Sequence, residues 1–90
     1  MAILLITYKT RNPTKDYGPL YEGIRNNCSK WWHYLDDVWI VETTDSADEL
    51  AKKLYPLILR NDHLLVVRLV KEYQGWLPKE AWDWLNERIF

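Results

Sequence analysis

The chain has 90 residues, of which 48% are apolar and 28% charged, and a net charge of −1. This length allows one domain, near the lower limit for an independent core, and the charge balance carries no general signal for nucleic acid. A single cysteine, Cys28, excludes an internal disulfide and any multi-cysteine zinc site. With no basic-then-apolar leader and no apolar run near about 18 residues, the expected compartment is the cytoplasm, with no membrane segment.

Residues Ala2–Tyr8 (AILLITY) form a short apolar run that suits a strand buried on both faces. A polar loop follows from Lys9 to Gly18, marked by Asn12 and Pro13. Pro19 fits the first turn of a helix, and Tyr17, Leu20, Tyr21, Ile24 and Cys28 recur at helical spacing behind it. Gly23 weakens that helix without forbidding it. Trp31–Leu35 and Val38–Thr43 are aromatic and β-branched, so they read as strands, with Asp36 and Asp37 as the turn between them. In the second of these, Trp39, Val41 and Thr43 face one way and Val38, Ile40 and Glu42 the other, which predicts a central strand.

Ser46-x-x-Glu49 is a capping box, followed by an apolar stripe at Ala47, Leu50, Ala51, Leu54, Leu57 and Ile58. Pro56 predicts either a kink or a helix to about Tyr55 and one further turn. His63–Val70 (HLLVVRLV) reads as another strand buried on both faces. After Gln74 and Gly75, Pro78 opens a last helix with Ala81, Trp82, Leu85 and Ile89 on one face, and Trp84 lies well round from Trp82.

The element order predicts an α+β ferredoxin-like βαββαβ sandwich over residues 2–70, with a C-terminal helical extension over 76–90, in one domain spanning 1–90. Right-handed crossovers place both crossover helices on one face of the sheet. The other face, also apolar, then needs a cover: the C-terminal helix or a second copy.

Six Trp and six Tyr are many for so short a chain, and large rings are enriched at interfaces. Trp31, Trp32, Trp39, Trp76, Trp82 and Trp84 are therefore the expected interface residues. On the strand Trp31–Leu35, Trp32 and Tyr34 share one face, and Trp31 and His33 the other. Exposed rings on a sheet can stack nucleic-acid bases. These rings alternate with aliphatics rather than with Lys and Arg, which favours core and dimer packing.

Residues 1–30 hold five basic residues, Lys9, Arg11, Lys15, Arg25 and Lys30, against Asp16 and Glu22. The remainder is acidic overall. A solvated surface accounts for such scatter; the sharper reading is a basic loop after the first strand that meets phosphates, through Lys9, Arg11, Lys15 and Arg25. Metal binding has little support, because His33, His63, Cys28, Asp36 and Asp37 show no ligand spacing. Tyr8, Asp16, Asp36 and Asp37 offer no recognised catalytic pattern, and the two adjacent aspartates are more simply turn residues. A thiol such as Cys28 on the apolar side of a helix is more simply core than a redox sensor.

The strand ILLITY, the central hairpin, the helix launched by SADEL and the segment RNDHLLVVRL together resemble the CRISPR-associated protein 2 family and the related VapD-type proteins, over roughly residues 2–70. WWHYLDDVWIVETT and the tail GWLPKEAWDWL also resemble short bacterial and phage proteins labelled SinR-family, a label that establishes no function. The first resemblance implies a ferredoxin-like fold and a homodimer, acting either as a metal-dependent nuclease or as a non-enzymatic scaffold that binds DNA. In that family the first strand typically ends in Tyr-Asp, the Asp being the proposed metal ligand. Here Lys9 follows Tyr8, which takes away the carboxylate and adds a positive charge.

The expectation is accordingly a non-catalytic, cytoplasmic homodimer with no cofactor, binding a nucleic acid or nucleotide. The alternatives are a small protein-interaction or inhibitor module, such as a phage encodes, and a metal-dependent nuclease.

Overall fold

The computed structural model describes residues 1–10 and 16–90. Strand β1 (Ala2–Lys9) leads to helix α1 (Gly18–Asn26), the hairpin of β2 (Lys30–Leu35) and β3 (Val38–Thr43), helix α2 (Ala47–Leu54), strand β4 (His63–Arg68) and helix α3 (Lys79–Asn86). The strands form one sheet in the order β2-β3-β1-β4, with every neighbouring pair antiparallel. This α+β arrangement is compatible with a ferredoxin-like fold.

β1 and β3 take the centre because both of their faces are apolar. On one face, Leu4, Ile6 and Tyr8 of β1 join Trp39 and Val41 of β3 beneath Leu20 and Ile24 of α1 and Leu50 and Leu54 of α2. On the other, Ile3, Trp32 and Ile40 are covered by Ala81 and Leu85 of α3. The C-terminal helix thus supplies a cover for the second face. Its seat is fixed by Trp32, whose Nε1–H donates to the Ala81 carbonyl at 3.2 Å. Leu85 is only 2% exposed, and burying a side chain of that kind favours the docked helix by about 1.5–3 kcal/mol.

Local chemistry sets the helix ends. The Asp16 carboxylate accepts from the Gly18 N–H at 2.8 Å, and Pro19 occupies the first turn of α1. At α2 the capping box forms in full: the Glu49 N–H donates to Ser46 Oγ at 3.1 Å, and the Ser46 N–H donates to Glu49 Oε1 at 2.9 Å. α2 stops at Leu54, and Tyr55–Leu57 make one turn of 3₁₀ helix around Pro56. Gly23 has a packing role, since a Cβ there would overlap Leu57 Cδ1.

Two predicted features differ. β4 ends at Arg68, short of Val70, and runs along the sheet's edge, so it is not buried on both faces. Leu64 and Val66 pack in the helix-covered layer, whereas Leu65 and Val67 are 57% and 36% exposed. α3 lies over β2, at the far side of the sheet, and leaves them uncovered. α3 itself ends at Asn86, which places Ile89 beyond the helix and in solvent.

β2, the opposite edge, carries a bulge. Trp32 pairs with Ile40 and Leu35 with Val38, so His33 and Tyr34 together stand opposite Trp39. Such an insertion twists an edge and disrupts its free backbone groups, which discourages further strand pairing there. No helix among the described residues is long and apolar enough to cross a membrane.

Candidate functional site

The end of the sheet where β1 finishes and the β2–β3 hairpin turns gathers several of the polar residues singled out above. Tyr8 is its hub. The Tyr8 hydroxyl accepts from Trp39 Nε1–H at 3.0 Å and donates to the Asp36 carbonyl at 3.2 Å. His33 reaches the same carbonyl through Nε2 at 3.0 Å. A carbonyl only accepts, so Nε2 carries the proton in this contact. The bulge turns the His33 ring onto Trp39, stacked with centroids 3.9 Å apart at 14°. Tyr21 closes the cluster from α1, 6.2 Å from the Tyr8 ring and 6.0 Å from that of Trp39.

This arrangement holds the hairpin in place rather than poising an acid or base. Burial pushes the Tyr8 hydroxyl well above the ordinary tyrosine range; the Trp39 hydrogen bond opposes that shift, and Tyr21 and Asp37 add to it. Tyr8 therefore stays protonated at neutral pH. Asp36 and Asp37 occupy the turn, as expected, and are themselves exposed. What they give the interior is backbone: Asp36 O to Tyr8 and His33, and Asp37 O to the Tyr8 N–H at 3.4 Å. Among the described residues no three His, Cys, Asp or Glu side chains are placed to hold a metal ion.

Lys9 emerges from the end of β1, exposed and directly opposite His63 of β4. Together with Thr7, Tyr8, Leu64 and Leu65 they line a shallow depression of about 260 Å³, with no carboxylate among its described lining residues. Asp62, next to His63 in the chain, is buried, accepting from the Tyr17 hydroxyl at 3.0 Å and from the Leu59 N–H at 2.9 Å. Arg11 and Lys15 lie outside the described residues. Arg25 does not line the Lys9 depression. It sits in the last turn of α1, with its guanidinium 5.9 Å from the ring centre of Trp39, on the cluster that Trp39 forms with Tyr8 and His33.

The six tryptophans separate. Trp32 and Trp39 are each 2% exposed and form part of the chain's own core, which corrects their expected place at an interface. They are buried because they point inward from strands covered by α3 and α1 respectively. Trp82 is half-buried and stacks on Tyr73 at 6.2 Å, and Trp84 lies half-buried under Arg88, 4.5 Å from its ring centre. Trp31 is 46% and Trp76 98% exposed.

Sequence reasoning missed Arg88. Its side chain is buried, donates to the Trp84 carbonyl at 3.1 Å and pairs with Glu42 and Glu87 at 3.6 Å. A spacing of four from Trp84 was the one local signal, and the partner on β3 could not be read from it. Cys28 is half-buried, its thiol donating to the Ile24 carbonyl at 3.0 Å and pushed up to about 11 by burial, which leaves it a poor nucleophile at neutral pH.

No family model, curated protein or solved structure matches the chain.

Proposed function

We propose that this chain is a non-catalytic, homodimeric binding domain of the ferredoxin-like kind, which engages the phosphates of a nucleic acid or nucleotide at the end of the sheet where β1 delivers Lys9. The observation that carries this reading is the setting of Lys9: an exposed ammonium at the tip of the central strand, facing His63 and with no carboxylate among the described residues of the depression it lines. Arg11 and Lys15 follow it within six residues of chain. Three cations this close in sequence suit phosphate oxygens, and their contribution should be sensitive to salt.

The same residues give little support to a metal-dependent nuclease. Where the resemblance expects an aspartate after Tyr8, the ammonium of Lys9 would repel a divalent cation. Arg25 takes a lesser part in the proposal than the sequence implied, because its guanidinium is turned onto Trp39.

The test is a titration of labelled single-stranded and duplex DNA and RNA, followed by fluorescence anisotropy from low to physiological salt. Binding should weaken steeply as salt rises. Lys9→Ala combined with Arg11→Ala and Lys15→Ala should weaken it at least tenfold at low salt and flatten the salt dependence. Arg25→Ala should change it less. Absence of binding to every probe at low salt would overturn the phosphate reading.

A second reading, a protein-interaction module, is favoured by one observation: Trp76 is 98% exposed at the rim of an apolar cavity.

A further inference from the structure

His63 opens β4 directly across from Lys9, the last residue of β1, and both side chains are exposed. Partners in an antiparallel ladder leave the same face of the sheet with their Cβ atoms about 4.5–5.5 Å apart. Leu64 and Val66 pack in the layer under α1 and α2. His63 alternates with them, so it projects from the other face, beside Lys9. An ammonium and an imidazole thus stand together over the depression that both line.

No carboxylate is among the described residues of that depression. Asp62, next to His63 in the chain, is buried and accepts from the Tyr17 hydroxyl and the Leu59 N–H, and Asp16 accepts from the Gly18 N–H. Arg60 is exposed in the turn before β4. From α2, which packs on β4, Asp48, Glu49, Lys52 and Lys53 belong to the opposite face of the sheet. On β1, Tyr8 stays protonated, and beyond it Asp36 and Asp37 are exposed in the hairpin turn. A phosphate oxygen held between Lys9 and His63 would meet the ammonium and, on a protonated imidazole, two N–H donors; a neutral ring offers one and no charge.

We infer that His63 is a second phosphate-binding residue of the Lys9 site, and that binding there tightens as the pH falls through the range in which histidine takes up its proton. This rests on the phosphate reading of Lys9 above and adds a residue and a pH dependence to it. The coupling is reciprocal: a charged ring that holds phosphate more tightly is itself held in its charged form by bound phosphate. Binding therefore takes up a proton.

The experiment is fluorescence anisotropy at low, constant ionic strength, at about pH 5.5 and about pH 8. Histidine changes charge across this window, while aspartate and glutamate ordinarily stay ionised. The probes are a labelled oligothymidylate without terminal phosphates and a labelled cyclic mononucleotide. A phosphodiester keeps its negative charge throughout, so any trend comes from the protein. The wild type should bind about threefold more tightly at the lower pH, the scale of one exposed ion pair. His63→Gln should keep the wild-type circular dichroism and lose the trend, and His63→Lys should bind tightly at both pH values. His33, the chain's other histidine, is stacked on Trp39, and His33→Gln should keep the trend. A trend with the oligonucleotide assigns the phosphate to nucleic acid and a trend with the cyclic mononucleotide alone to a free nucleotide; either supports the role of His63. Binding equally tight at both pH values, or a trend that His63→Gln leaves intact or His33→Gln removes, overturns that role and spares Lys9. No binding of either probe at either pH overturns both.

Discussion

The indole of Trp39 donates to the hydroxyl of Tyr8 across 3.0 Å, and that hydroxyl in turn donates to the Asp36 carbonyl in the hairpin turn. A buried ring on β3, the end of the central strand and the tip of the hairpin are thereby tied in one chain of hydrogen bonds. Lys9, the next residue after Tyr8, is presented to solvent from this anchored end.

Tyr8→Phe should destabilise the fold by about 1–3 kcal/mol, since it leaves Trp39 Nε1–H without its acceptor in a buried setting. Trp39→Phe should cost more, because packing with His33 and Tyr21 is lost as well. The double variant should be less destabilised than the two effects added, because the two side chains share one hydrogen bond. Urea unfolding of the four proteins measures this, and strict additivity would show that the bond contributes nothing.

Stability should fall in alkali. Tyr8 and Cys28 are both neutral when protonated, and both hold the proton more tightly in the folded chain: Tyr8 is raised from 10.0, and Cys28 from 9.0 to about 11. The unfolded chain therefore ionises first. The stabilisation is fully present below pH 9, declines as the unfolded thiol titrates from pH 9 toward 11, and declines further once the unfolded phenol titrates above pH 10. Denaturant midpoints measured from pH 8 to 11 should show the decline, and Cys28→Ser should make its early part shallower. A flat profile would contradict the burial of both groups.

Gly23→Ala should destabilise, although alanine is the better helix former. The intrinsic gain is up to about 1 kcal/mol. Against it, the new methyl overlaps Leu57 Cδ1, and overpacking of that kind typically costs about 1–3 kcal/mol. In a Leu57→Ala background the same substitution should turn stabilising. Thermal unfolding of the pair and its two singles decides the sign.

The adjacent tryptophans of β2 should behave oppositely. Trp32→Ala removes a ring that is 2% exposed and the donor to Ala81, which predicts a loss of about 3–5 kcal/mol. Limited proteolysis should then cut first in the segment before α3. Trp31→Ala should cost about 1 kcal/mol or less, its ring being 46% exposed. Equal losses would mean that α3 does not dock on Trp32.

Much of the scaffold was legible because its signals are local. The capping box needs only Ser46 and Glu49, three residues apart, and it forms as written. Pro56 cannot continue the interior of an α-helix, and Val38–Thr43 carries the alternation of a strand covered on both sides. His63–Val70 misled for a complementary reason. Its composition is that of a central strand, but burial depends on how many neighbours a strand has, and β4 has one.

The candidate site was legible only as a list of residue types. Sequence placed Lys9 just after the first strand, whereas it is the last residue of β1, and nothing local showed that the guanidinium of Arg25 would be turned onto Trp39.

By itself, then, the sequence determined which segments become helix and strand, where α2 starts and stops, and that both faces of the sheet are apolar at its centre. Those properties follow from contacts within about four residues or from a repeating period. Only the tertiary structure decided that β4 is an edge, that Trp32 is core while Trp76 is in water, and that the β2 bulge lays His33 on Trp39. Each depends on which elements become neighbours and which face meets them, and strand order and helix docking are relations between residues far apart in the chain.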